Sequence, residues 1–240
     1  MKNLGDRRFN GLVGKEYDLF RAVIPHYDEA ERKLGVILRS YVKQRPKIIF
    51  EALELGFGTG LTTQEVMNAD PRIRLTAIDS SPGMLDATSK KLEGYISRKC
   101  LSLNLVDISS FLRKNKKKFD AVVSGYVLHN IPGEERERII LGIYDALNEG
   151  GIFVNLDVIA PDSLVYHREV LNRQFLNIKT FDRMGMPQLR KEWEKHYKED
   201  ASPGRVLKEG VFVNSLRAAG FKEIHRTARW NTDALYWAVR

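Results

Sequence analysis

The spacing of apolar residues divides the chain into four stretches. Between Glu16 and Gln44, the residues Leu19, Val23, Tyr27, Leu34, Ile37, Leu38 and Tyr41 recur at helical intervals, which predicts helix. Pro25 divides this stretch in two, because a proline disfavours the α conformation of its predecessor, and Pro46 stops the second helix. From residue 48 to residue 158, short apolar runs alternate with helical patterns. Strands are predicted near 48–54, 73–78, 101–106, 119–124 and 150–158, and helices near 60–69, 82–93, 109–115 and 134–148. The punctuation agrees: Asp70-Pro71 marks one boundary, Ser80-Ser81-Pro82 supplies a cap and an N1 proline, and Gly150-Gly151 marks another. After Pro161 the strand pattern stops. Leu164, Val165, Val170, Leu171, Phe175, Ile178, Leu189, Trp193 and Tyr197 read as an insertion of two or three helices, closed by Ser202-Pro203-Gly204. A helix over 206–219 and a hairpin-like pair of strands, Phe221 to Thr227 and Ala234 to Val239, complete the chain. Residues 1–14, polar and carrying Gly5, Gly11 and Gly14, read as a loose arm.

Buried strands alternating with helices imply an α/β fold with a parallel sheet and right-handed crossovers. The loop after the first strand then lies at a topological switch point, where ligands of open α/β sheets bind. A length of 240 residues fits one domain.

Composition adds little to this picture. Net charge is +8, compatible with a nucleic-acid partner without demanding one. The densest basic run, Arg113-Lys114-Asn115-Lys116-Lys117-Lys118, reads as a solvated helix end, and no RNA-binding motif with interleaved aromatics accompanies it. A single cysteine, Cys100, excludes an intramolecular disulfide framework and a multi-cysteine metal site; no metal is expected. Cys100 opens an apolar run and reads as a small core residue. No apolar run approaches 18 residues, so no membrane span is expected. Residues Met1 to Asn10 are charged and lack the apolar core of a signal peptide, which makes the cytoplasm the expected location.

The chemistry is concentrated between Ile48 and Pro132. The run Ile48 to Leu55 breaks into Gly56-Phe57-Gly58-Thr59-Gly60, and a helical pattern follows from Leu61. Strand, tight turn and helix bring backbone N–H groups and a helix N-terminus to a polar ligand. A dinucleotide fingerprint counted from Gly56 would require glycine at position 61, where this chain has Leu61; the pattern is E-x-G-x-G-x-G instead. An acidic residue, Asp79, ends the second strand 19 residues after Gly60 (79 − 60), the position at which a carboxylate accepts from both ribose hydroxyls of a nucleoside; a turn or capping residue is the plainer reading. Met84 follows in the next helix. Asp107 and Ile108 end the third strand, and Asp107 also suits the N-cap of the helix that begins at Ser109. Ser124 and Gly125 end the fourth strand, where small side chains permit close approach, and His129 lies in the turn beyond.

These four signals, in this order and spacing, resemble motifs I to IV of the class I S-adenosylmethionine-dependent methyltransferases (type 11/12/25-like). The resemblance implies a Rossmann-like seven-stranded sheet of order 3-2-1-4-5-7-6 with the last strand antiparallel. It implies S-adenosyl-L-methionine as cofactor and S-adenosyl-L-homocysteine as product, bound by Gly56, Phe57, Gly58, Gly60, Asp79, Ser80, Met84, Asp107, Ile108 and Ser124. Within 1–240, residues 1–45 would form a helical cap, 46–160 the cofactor half, 161–205 a helical lid and 206–240 the final helix and strand pair. The segment Tyr17-Asp18 … Ile24-Pro25-His26-Tyr27 also looks like the lead-in of carboxy-S-adenosylmethionine synthases, which act in tRNA wobble-uridine modification; Tyr27 then matches their cofactor-reaching tyrosine. That family uses an arginine about two dozen residues before the Ala219-Gly220-Phe221 turn. This chain has Lys195-His196-Tyr197-Lys198 there, so plain S-adenosylmethionine is the expectation.

A base is needed only if the nucleophile arrives protonated, and His129 and Asp157 are the side chains the topology places to serve. Tyr17, His167, Arg168, Arg173, Trp193, His196 and Tyr197 are further candidates for the pocket wall. The acceptor expected is a small molecule under the lid; the alternative is a tRNA-modifying methyltransferase or a carboxy-S-adenosylmethionine-type enzyme of wobble-uridine modification, and the second alternative is a non-catalytic cofactor-binding protein. A homodimer stays open.

Overall fold

The computed structural model describes residues 12–240; the arm expected at 1–11 lies outside the described residues. Leu12–Gly14, expected as part of that arm, instead belong to a helical turn, α1 (Leu12–Lys15), in which Val13 is buried. A 3-10 turn, Tyr17–Ala22, takes the place of the first predicted helix, and α2 (Tyr27–Lys43) follows the break at Pro25.

Seven strands form one sheet: β1 (Phe50–Leu55), β2 (Ile73–Asp79), β3 (Leu101–Leu105), β4 (Phe119–Gly125), β5 (Leu147–Val158), β6 (Lys222–Trp230) and β7 (Asp233–Val239). Their order is β3-β2-β1-β4-β5-β7-β6. β1 to β5 pair in parallel, and β7 runs antiparallel to both β5 and β6, as the resemblance implies. β1 begins at Phe50 rather than Ile48, which is 85% exposed.

The connections are α3 (Leu61–Ala69), α4 (Pro82–Lys91), α5 (Glu93–Ser97), α6 (Ile108–Lys114) and α7 (Gly133–Ala146). The insertion after β5 comprises α8 (Leu164–Asn177), α9 (Thr180–Arg183) and α10 (Pro187–Asp200), and α11 (Glu209–Ala219) leads to β6. The predicted start of α4 holds: Ser81 is its N-cap, the Ser81 hydroxyl accepts from the Met84 amide, and Pro82 opens the first turn. Two cores cover the sheet. Along β4, Ala121 and Val123 face one core and Val122 the other; along β5, Ile152 and Val154 face the first and Phe153 the second, the period of two that a strand covered on both faces requires. The first core takes α2 and the lid residues Phe181, Leu189, Trp193 and Tyr197, and the second takes α7 and α11. Cys100 is half-buried against the first. No described helix is long and apolar enough to cross a membrane.

Candidate functional site

Parallel register sets the tips of the first four strands side by side. Leu55 pairs with Ile78 and with Ser124, and Asp79 pairs with Leu105. The glycine turn therefore leaves β1 between the ends of β2 and β4, at the point where the strand order reverses. Gly56, Gly58 and Gly60 all adopt positive φ, at 72°, 48° and 82°, a backbone region that favours glycine. Their surroundings differ. A Cβ on Gly56 would come within 2.5 Å of Val127 Cγ2 and one on Gly60 within 3.0 Å of Thr88 Cγ2, whereas one on Gly58 would meet nothing within 4 Å. The outer two glycines are demanded by protein packing. The middle one opens onto free space, which suits a ligand laid across it.

Asp79 stands at the end of β2 and is held by amides: Gly58 N–H donates to Oδ2 and Ser81 N–H to Oδ1, each at 2.9 Å. Burial pushes its pKa up, and the amides of Gly58, Ser81 and Ser80 pull against that rise. The carboxylate thus links the glycine turn to the start of α4. Asp107 caps α6, accepting from the Ser110 amide at 2.8 Å through Oδ1, so the capping reading of that residue holds. Met84 is buried. Ile108 opens α6 and is half-buried, and Ser80 is exposed.

Two of the expected contact residues sit differently. The Phe57 ring lies in the first core; its amide donates to Ile78 and its carbonyl accepts from Gly60, so it braces the turn. Ser124 is fully buried, in register with Leu55 and Asn155. It shares the face of Leu55, in the second core, because side chains alternate along a strand. Gly125, one residue on, faces the glycine-turn helix: a Cβ there would overlap the Thr62 hydroxyl of α3.

Above the turn lies a cluster of tyrosines and carboxylates. The Tyr27 ring stacks on Tyr126 with centroids 5.1 Å apart and planes 10° apart. Tyr126, at φ 57° just past β4, donates to Asp233 Oδ2 at 3.0 Å, and His26 Nε2 lies 2.8 Å from the same oxygen. Thr62 donates to Glu31 Oε1 at 3.0 Å, while Glu31 Oε2 is buried without a hydrogen-bond partner among the described residues. Burial, with Glu65 adding and Thr62 opposing, pushes the Glu31 carboxyl up to about 7. Burial and the Glu31, Asp157 and Asp233 carboxylates raise the Tyr17 hydroxyl, and a hydrogen bond with Tyr27 lowers it. Sequence reading found Tyr17 and Tyr27 but missed Glu31, Thr62, Tyr126 and Asp233. Only the polarity of Glu31 on an otherwise apolar helix face signalled any of them.

The two base candidates form a pair. Asp157, fully buried, accepts from the Leu128 and Val158 amides at 2.8 Å each, and its Oδ1 lies 2.5 Å from His129 Nδ1. Its oxygens are engaged in holding the turn after β4. His129 Nε2 faces the lid, 3.9 Å from Asp200 Oδ2. Trp193 and Tyr197 are buried and His196 sits beside Asp200. His167 lines a small void at the inner end of α8, whereas Arg168 and Arg173 are exposed and leave the pocket wall.

Residues 53–153 match the family model described as a methyltransferase domain. The sheet order and this domain match are those of the class I methyltransferase fold. The chain is similar over its length to proteins named carboxy-S-adenosyl-L-methionine synthase. For that of Nautilia profundicola, identity is 26% over 98% of this chain and 99% of the relative; for that of Helicobacter hepaticus, 29% over 94% and 95%. Among solved structures it superposes on the S-adenosylmethionine-dependent methyltransferase SibL with TM-score 0.58 and 19% identity, covering 86% of this chain and 54% of that one, so it spans about half the SibL length. It superposes on the N-methyltransferase NodS of Bradyrhizobium japonicum WM9, in complex with S-adenosyl-L-homocysteine, with TM-score 0.57 and 18% identity over 88% and 87% of the two chains. At these identities the structural likeness speaks for the fold.

Proposed function

We propose that the protein moves the sulfonium methyl group of S-adenosylmethionine, by in-line displacement, to an O, N or C nucleophile of a small molecule held between the glycine turn and the lid formed by α8–α10. The cofactor supplies an already activated methyl group, so the chain's task is alignment and exclusion of water. Asp79 accepts from the ribose hydroxyls, and the turn around Gly58 lies against the methionine portion. Met84 and Ile108 flank the adenine, and the oxygen of Asp107 not used in capping accepts from its amine. Tyr27, from the N-terminal segment, closes the site. In this reading His129 and Asp157 position the turn after β4, and Ser124 packs beneath the site.

The observation that carries this reading is the charge of the interior above the turn. Tyr17, Tyr27, Tyr126, Glu31 and Asp233 present aromatic rings and carboxylates, surroundings that favour a sulfonium cation. The relatives' name raises a second reading, a carboxylated cofactor, whose extra negative charge needs a cation beside it. At the position where those enzymes use arginine, Lys195 is 80% exposed and pairs with Glu199, Lys198 pairs with Glu194, and His196 pairs with Asp200. Buried Arg136 donates to the carbonyls of Leu128, Ile131 and Arg205. These placements favour the plain cofactor.

Nucleic acid as acceptor has one feature in its favour, a groove of about 930 Å³ between α6 and α7 bordered by Arg113, Lys116, Lys117, Lys118 and Arg138. Lys117 is already paired with Glu51 and Lys118 with the Asp145 carbonyl, and Glu135 and Asp145 share the groove; the small-molecule reading stands ahead of it. One cysteine suits a reducing compartment, and we place the protein in the cytoplasm.

Native mass spectrometry of the purified protein, with calorimetry against S-adenosylhomocysteine and its carboxylated analogue, tests the assignment. Co-purified S-adenosylmethionine or S-adenosylhomocysteine, bound tighter than the carboxylated form, is expected. A co-purified carboxylated cofactor would overturn the plain reading, and no heat with either compound would remove every cofactor-dependent reading.

A further inference from the structure

The lid meets the sheet through a cluster of which the methyl-transfer reading uses only His129, to position the turn after β4. α10 ends on Asp200, and His196 lies four residues earlier, so the two side chains project from one helix face. His196 Nε2 is 3.1 Å from Asp200 Oδ2. Across the interface His129, in the 3-10 turn Leu128–Asn130, brings its Nε2 to 3.9 Å from the same oxygen. One ligand atom from each of the three lies within 4.8 Å of the others. The side chains are 8%, 5% and 11% exposed for His129, His196 and Asp200.

We infer that His129, His196 and Asp200 bind one divalent transition-metal ion of the zinc class, with a water in the fourth position. Four features support it. Two imidazoles with one carboxylate are a donor set that selects such ions over magnesium or calcium. Metal–ligand bonds of about 2.0–2.1 Å place tetrahedral ligand atoms about 3.3 Å apart. His196 and Asp200 at 3.1 Å already meet this, His129 and Asp200 at 3.9 Å need to close by about 0.6 Å, and the two histidines, within 4.8 Å, by at most about 1.5 Å. Asp157 fixes the ring of His129: its Oδ1 lies 2.5 Å from Nδ1, which makes Nδ1 the donor and turns the Nε2 lone pair toward Asp200, the carboxylate–histidine arrangement found behind metal ligands. Finally, a void of about 20 Å³ touches His129 and Asp200 and is also lined by His167 and Gln174, room for one water. An ion there neutralises Asp200 and Asp157 together and ties α10 of the lid to the turn that leaves β4. The inference does not rest on the identity of the cofactor or the acceptor.

The test uses tag-free full-length protein, stripped with chelator and titrated with Co(II). Expected are the visible d–d bands of a four-coordinate ion at one equivalent per chain, displaced by Zn(II). His196→Ala and Asp200→Ala should each weaken binding at least 100-fold, Asp157→Asn about 10- to 100-fold, and His225→Ala, on β6 and stacked on the Trp237 ring of β7, should leave it unchanged. Should the variants fail to fold, X-ray absorption of the Zn-loaded wild-type protein decides, with two imidazoles expected around the ion. No Co(II) bands at one equivalent, bands that persist in folded His196→Ala, or a Zn shell without two imidazoles would each overturn the site and leave a His–Asp ion pair holding the lid.

Discussion

The backbone amide of Gly58 donates to the carboxylate of Asp79 at 2.9 Å, joining the glycine turn after β1 to the tip of β2. Because the other carboxylate oxygen takes the Ser81 amide, Asp79 shapes the loop that it helps to present. Replacing it removes both the ribose acceptor and the tie. We expect Asp79→Ala to weaken S-adenosylhomocysteine binding at least tenfold, equivalent to ~1.4 kcal/mol, with Asp79→Asn intermediate because it keeps one acceptor oxygen. Calorimetry reads both, and an unchanged affinity in the alanine variant would remove the ribose assignment.

Gly125 stands where β4 passes closest to α3. A methyl group there overlaps the Thr62 hydroxyl and comes within 3.1 Å of Thr62 Cβ, and Thr62 is itself held by Glu31. Overpacking of this kind costs typically 1–3 kcal/mol. Gly125→Ala should therefore lower the unfolding free energy read from urea titration by about 1–3 kcal/mol, and Thr62→Ala should recover part of the loss in the double variant. Additive effects of the two substitutions would show that the clash is relieved some other way.

The fold was legible because its signals are local and repeat. Glycine spacing, Ser81-Pro82 and the short apolar runs each fix an element from a few neighbouring residues, and order plus handedness then leaves few arrangements of the sheet. Part of the layout was legible for the same reason: Asp79 ends β2, and Asp107 caps α6 two residues past β3. The parts that were not legible have a different origin. Whether Ser124 or Gly125 faces α3 depends on which way the strand alternates, and Phe57 looks like a loop residue until α2 is placed over it. His196 and Asp200 announce themselves as a helical pair, but their meeting with His129 is a contact between segments 67 residues apart (196 − 129), set by how the insertion folds back. Asp233 likewise reaches Tyr126 and His26 only because β7 lies next to β5.

Lid docking depends on Trp193. Its ring stacks on Phe20 with centroids 3.8 Å apart and planes 9° apart, and only 2% of the residue is exposed. Truncation of a buried aromatic costs about 3–5 kcal/mol. Trp193→Ala should lose stability on that scale in denaturant unfolding, whereas Trp193→Phe should lose much less because the stack survives. Equal losses in the two variants would show that the indole edge rather than the ring stack anchors α10.

The buried carboxyls give the protein a stability that depends on pH. Burial, with the Glu31 and Asp79 charges adding and the Thr63 hydroxyl opposing, pushes Glu54 up to about 8, and Glu31 is pushed up to about 7. In the unfolded chain both titrate near 4.5. Between that value and the folded ones the native protein holds protons that the unfolded chain has released, so the slope of unfolding free energy against pH is negative. The contribution of these groups is fully present below about pH 4.5 and is lost as pH rises through about 7 and about 8. Glu54→Gln keeps the shape and removes the largest of these proton equilibria. The wild-type melting temperature should fall relative to that of Glu54→Gln between pH 5 and 8 (the range set by the raised pKa values), with the two curves parallel above it. Parallel curves across the whole range would show that Glu54 is ionised in the folded protein and that its charge is compensated by neighbours.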